Sequence, residues 1–231
     1  MTEFRFGEPL GTESFMTWGS TPALCPNGDL ILSEVLDRDY QLFLNDAHSQ
    51  FLRTLIKTRA DYMFCNQAAN RAYYIASESG SDATFLWSVS LEGGKPNKLM
   101  AIPDAVPLVY SKDGKYAAYL VGDSDSSKAR LIDIAQRKVI SDLALDGHAK
   151  QTLPHFTPDG KALAFVSQQN DGFALAFQPL NGGRIYFAPT RSKAPILDFG
   201  WSPSGKSLAI LSDHSTSDVA ILTDSSAADK K

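Results

Sequence analysis

Cysteine is almost absent: Cys25 and Cys65 are the only two in 231 residues. Two thiols define neither a disulfide framework nor a zinc site, and they read as two buried free thiols. Histidine is nearly as scarce, with His48, His148, His155 and His214. No HxxxH or HExxH pair sets two of them on one helical face, so no metal site is expected. The chain also lacks a Gly-x-Ser-x-Gly elbow and a glycine-rich phosphate cradle, and Glu92-Gly93-Gly94-Lys95 reads as a hairpin turn. No cofactor is implied. Positive charge is not in excess: 22 Lys and Arg face 26 Asp and Glu, a net charge of −4. That balance excludes a general phosphate-binding surface, so nucleic acid is not an expected partner. No apolar run approaches the roughly 18 residues of a membrane span, so no membrane insertion is expected. The start, Met1-Thr2-Glu3-Phe4-Arg5-Phe6, lacks the basic-then-apolar order of a secretory leader. As it stands the sequence points to the cytoplasm, or to the periplasm if a leader has been removed.

A short phrase is present instead, five times. Its clearest copy is Trp201-Ser202-Pro203-Ser204-Gly205-Lys206-Ser207-Leu208-Ala209-Ile210-Leu211-Ser212. Phe156-Thr157-Pro158-Asp159-Gly160-Lys161 and Tyr110-Ser111-Lys112-Asp113-Gly114-Lys115 open two more, and weaker copies begin at Leu24 and Asn66. The turn residue falls at Gly28, Asn70, Gly114, Gly160 and Gly205, so the steps are 42, 44, 46 and 45. A period of about 40–50 residues in strand-rich units marks propeller blades. Each copy has the same grammar. An apolar or aromatic residue ends a first strand, Pro-Asx-Gly turns the chain, and an apolar run forms a second strand buried on both faces.

A third strand follows in each copy: 41–44, 84–89, 129–134, 173–177 and 219–222. Fourth strands are expected at 51–55, 97–100, 139–143 and 184–187. The fifth copy runs out before a fourth strand, whereas Glu3-Phe4-Arg5-Phe6-Gly7-Glu8 alternates at the strand period with no partner of its own. The expected architecture is therefore an all-β propeller of five four-stranded blades, closed by the N-terminal strand. It forms one domain over 1–224, with a disordered polar tail at 225–231. The competing readings are a β-sandwich with coincidental turns, or part of a six- or seven-bladed propeller.

The phrase from Trp201 to Ala209 resembles the blade signature of the TolB-like propellers, also called WD40-like or Tol-type β-repeats, and Phe156–Lys161 matches nearly as well. The resemblance covers almost the whole chain and implies the fold. Activity is not implied, because such propellers serve as protein-binding scaffolds, sugar-lyase frames and peptidase lids. The family is usually six-bladed and periplasmic, and this chain departs on both counts.

In propellers the first strand of each blade lines the channel, and the loops leading into it share one rim with the loops between strands two and three. Rim candidates here are Arg59, Asp61, Asp104, His148, His155 and Arg191. The second loop set is acidic and serine-rich, as in Asp123-Ser124-Asp125-Ser126, which is ordinary loop chemistry. The function expected is a non-catalytic module offering rim and channel mouth to a protein or peptide. The alternative is a carbohydrate lyase or hydrolase using Asp61, Asp104 or Asp146 with His155 or Arg59, which requires two acids about 5–10 Å apart.

Overall fold

Every copy of the repeated phrase closes a β-turn, and each turn joins two antiparallel strands. The turn amide donates back three residues at Gly28 to Cys25, Asn70 to Gln67, Gly114 to Ser111, Gly160 to Thr157 and Gly205 to Ser202. All five turn residues have positive φ, from 50° at Asn70 to 93° at Gly28, the region that glycine and asparagine tolerate best. The computed structural model describes residues 22–36, 39–48, 50–78, 83–103, 107–121, 128–148, 152–202 and 204–213.

The strands assort into sheets in sequence order. The first sheet holds β1 (Ala23–Leu24), β2 (Leu30–Leu36), β3 (Asp39–Asn45) and β4 (Phe51–Ile56); the second holds β5 (Asp61–Asn66), β6 (Arg71–Ser77), β7 (Thr84–Ser90) and β8 (Asn97–Ile102). The third holds β9 (Leu108–Tyr110), β10 (Tyr116–Val121), β11 (Lys128–Asp133) and β12 (Lys138–Ala144); the fourth holds β13 (His155–Phe156), β14 (Ala162–Gln169), β15 (Gly172–Pro179) and β16 (Tyr186–Ser192). The fifth has β17 (Ile196–Trp201) and β18 (Leu208–Ser212) among the described residues. All pairings are antiparallel, and the first strands β1, β5, β9 and β13 touch in succession. The expected strands at 3–8 and 219–222 and the tail at 225–231 lie outside the described residues.

The core sits between sheets. Successive side chains of a strand point to opposite faces, and the second strands divide their buried residues accordingly. Tyr74 and Ala76 pack with Ile31 and Leu42 of the first sheet. Tyr73 and Ile75 pack with Ala117 and Ile132 of the third. Leu163 and Phe165 join Leu131 and Leu143, whereas Ala164 and Val166 join Ile196 and Phe199. An unbroken apolar run is what a strand covered on both faces needs.

Three expectations are corrected. Cys25 and Cys65 are not free thiols: they form a disulfide joining the first and second sheets. Forty residues separate them, but that is nearly one repeat, so the fold stacks two almost equivalent positions. The fourth strand of the fourth repeat begins at Tyr186 rather than 184, after the turn around Gly182. β16 also runs on to Ser192, so Arg191 lies within it, not in a lead-in loop.

Candidate functional site

At the lead-in end, the amide of Ala60 donates to Ser33 Oγ at 3.1 Å and ties this loop to the first sheet. Arg59 Nε lies 3.7 Å from Asp61 Oδ2, and its guanidinium stands 5.7 Å from the centre of the Tyr40 ring. Burial pushes the Asp61 carboxyl above its ordinary range, against the pull of Arg59. His148 bridges to Ser167 and donates from Nε2 to the Thr152 carbonyl at 2.9 Å, so its tautomer is fixed by that bond. Burial lowers its pKa, against the Thr152 carbonyl. Arg191 Nη1 donates to both carboxylate oxygens of Asp171, at 2.6 and 2.7 Å. Asp104 lies outside the described residues.

His155 sits on β13 and meets the neighbouring first strand. Its Nε2 is 3.7 Å from Asp198 Oδ1 of β17, and its ring stands edge-on to Phe199 with centroids 4.8 Å apart. Burial lowers the His155 pKa, and Asp198 opposes that shift. The structure thus joins Arg59 to Asp61, and gives His155 and Arg191 the partners Asp198 and Asp171, neither of which was a candidate. Among the described residues, no three His, Cys, Asp or Glu side chains gather as a metal would require.

The opposite end of the first strands carries the phrase turns, and there the surface is indented. A crevice of about 240 Å³ is lined by Tyr110, Lys112, Phe156, Pro158, Trp201 and Ser202. A second, of about 360 Å³, shares Lys112 and Pro158 with it and continues along Asp113, Asp159 and Gly160. Tyr110, Phe156 and Trp201 each stand four residues before a turn glycine, so the repeat delivers one aromatic ring per sheet from three consecutive sheets. Tyr110 is stacked on Phe64 at 5.0 Å. Among the described residues, neither its buried hydroxyl nor the buried Nε1 of Trp201 has a hydrogen-bond partner. Leaving such a donor unpaired costs about 1–3 kcal/mol.

The turns themselves are stapled by a hydroxyl. Ser111 Oγ donates to Asp113 Oδ1 at 2.6 Å and accepts from the amide of Tyr116; Thr157 repeats this with Asp159 and Ala162. Asp113 and Asp159 also accept from the amides of Lys115 and Lys161. Burial pushes Asp113 up, but these hydrogen bonds and Lys115 together leave it below the usual carboxylate range. At Asp159 the Thr157 hydrogen bond leads the same lowering. The phrase contained this site, but its aromatic position read only as the end of a strand.

No family model matches the chain, and no curated protein matches it by sequence. Solved structures do match. TolB from Acinetobacter baumannii superposes with a TM-score of 0.62 at 18% identity, over 83% of this chain and 48% of that one. The β-propeller domain of Myceliophteria thermophila Cps50 (Swd1) gives 0.56 at 14% identity, over 84% and 62%. An oligogalacturonate lyase in complex with manganese gives 0.54 at 17%, over 71% and 48%. This chain spans about half the length of the TolB structure. The fold is of the β-propeller kind seen in TolB and in the Cps50 domain.

Proposed function

We propose that this propeller is a non-catalytic binding module that offers one end of its first strands to a protein or peptide. The observation that carries the reading is the indented, aromatic-lined surface where the turns of three consecutive sheets meet. Rigid strands holding short loops at a shallow depression suit recognition. Arg59, Asp61, Asp104, His148, His155 and Arg191 are proposed as the polar contacts of the opposite rim. The 1–224 region is proposed as one domain of five blades, with residues 3–8 and 219–222 completing the sheet of β17 and β18. The Cys25–Cys65 disulfide favours an oxidising compartment over the cytoplasm, since such bonds persist mainly there.

Screening a random peptide library on the immobilised chain tests the reading, with the footprint mapped by amide exchange. Specific capture, with protection confined to one end of the first strands, is the expected result. Failure to enrich any sequence refutes it. The second reading, a carbohydrate lyase or hydrolase at the channel mouth, rests on the His155–Asp198 pair and on the likeness to the lyase fold. Turnover of an oligosaccharide that disappears in His155→Gln would establish it in place of the first.

A further inference from the structure

We infer that Asn181 is a self-modification site, at which the folded chain converts an asparagine to aspartate and isoaspartate through a cyclic imide. The inference stands apart from the binding-module reading and does not rest on it. An asparagine followed by glycine is especially open to this reaction, because glycine has no Cβ to hinder the approach of its own nitrogen. The chain holds two such pairs, Asn27-Gly28 and Asn181-Gly182. Both asparagines are exposed and both sit in turns, but the fold treats them differently.

The reaction balances between the chain and water. The Gly182 amide nitrogen gives its proton to hydroxide and attacks Asn181 Cγ. The N–Cγ bond forms, the Cγ–Nδ2 bond breaks, and Nδ2 takes a proton from water and departs as ammonia. Water then opens the ring at Cγ, giving aspartate, or at the main-chain carbonyl carbon, giving isoaspartate. Nothing is oxidised or reduced.

At both sites the side-chain oxygen accepts an amide two residues on, from Asp29 at 3.2 Å and from Gly183 at 3.1 Å. The leaving nitrogen makes the difference. Asn27 Nδ2 donates to Asp29 Oδ2 at 2.7 Å, a charge-assisted bond that holds it in place. The same carboxylate opposes the negative charge that the attack gathers on the Gly28 nitrogen and Asn27 Oδ1. Around it the turn is pinned: Gly28 donates to the Cys25 carbonyl at 2.9 Å, Cys25 donates to Asp29 at 2.7 Å, and Cys25 is bonded to Cys65. A Cβ at Gly28 would stand 3.0 Å from Ala47 Cβ, so the ring has little room to form.

The Asn181 turn has none of these restraints. Among the described residues its Nδ2 donates to nothing, and Arg184 follows where the other turn has Asp29. Gly182 donates to Pro179 at the longer distance of 3.1 Å. Nothing lies within 4 Å of the place a Gly182 Cβ would take, which leaves space for the imide. The turn joins β15 to β16 at the same end of the fourth sheet as the phrase turn, since Pro179 pairs with Ala162. Conversion therefore adds a carboxylate to that end.

The test is incubation of the folded chain in mildly alkaline buffer, with the peptides around Asn27 and Asn181 followed by mass spectrometry in ¹⁸O-water. A parallel sample is held in urea with reductant. In the folded chain Asn181 is expected to convert about tenfold faster than Asn27, the effect of one charge-assisted hydrogen bond on the leaving nitrogen. In urea the two rates are expected to converge. Equal rates in the folded chain, or faster loss of Asn27, overturn the assignment. A tenfold difference that persists in urea also overturns it, because local sequence rather than the folded turns would then set the rates.

Discussion

Alanine placed at Gly205 is expected to destabilise the protein by about 1–3 kcal/mol more than alanine at Gly160, although the two glycines share a place in the repeat. Their φ angles are nearly the same, 72° and 66°, so both variants carry the same left-handed strain of about 1–2 kcal/mol. The surroundings differ. A Cβ at Gly160 meets nothing within 4 Å, whereas at Gly205 it stands 2.5 Å from Pro158 Cβ and 3.0 Å from Pro158 Cγ. Carbon pairs prefer about 3.5–4.0 Å, so the Pro158 ring must retreat by about 1 Å. It cannot rotate away, because it is built into the turn of the fourth sheet. Overpacking of this kind costs about 1–3 kcal/mol, which brings Gly205→Ala to about 2–5 kcal/mol and leaves Gly160→Ala at about 1–2. Urea titrations of both variants at one temperature, fitted with a shared slope, measure the difference. Equal losses would show that the turns of the fourth and fifth sheets do not nest.

Three further outcomes follow from particular contacts. Reducing the Cys25–Cys65 disulfide is expected to lower stability by about 3–4 kcal/mol, from the chain entropy released by its 40-residue span; an unchanged urea midpoint with reductant would refute the bond. Ser33→Ala strands the amide of the fully buried Ala60 and should cost about 1–3 kcal/mol in the same titration, with no loss if that amide finds another acceptor. His155 and His148 have folded pKa values below the ordinary His value of about 6.5, chiefly through burial. The unfolded chain then binds more protons between the folded value and 6.5, so stability is complete above that window and falls as pH descends through it. His155→Gln should flatten part of the decline in Tm between about pH 7 and 5; a slope identical to wild type would show that His155 titrates normally.

The strands were legible because the repeat states them five times. Turn glycines, the Asn70 substitute and the apolar second strands stand where the phrase puts them among the described residues, since turn chemistry and burial on both faces leave direct marks in sequence. The site was less legible. Asp198 escaped notice because it meets His155 across two sheets, 43 residues apart by their numbers, and no local pattern records such a meeting. The cysteines were misread for the same reason: a count of two says nothing of a fold that lays one repeat beside the next. Arg191 read as a loop residue because the expected fourth strand stopped at 187, whereas β16 runs on to Ser192.

The division of each second strand between two cores has a consequence for synthesis. Tyr73 and Tyr74 are neighbours in sequence but belong to different clusters, so a sheet is fully covered only when the sheet after it has arrived. A chain growing from the ribosome therefore carries, at every stage, one newest sheet with an uncovered apolar face. Each repeat acts as chaperone to the one before it, and the exposed hazard moves along the chain as it lengthens. The disulfide joins the first two of the described sheets, so in an oxidising compartment that junction is held by a covalent bond as well as by packing.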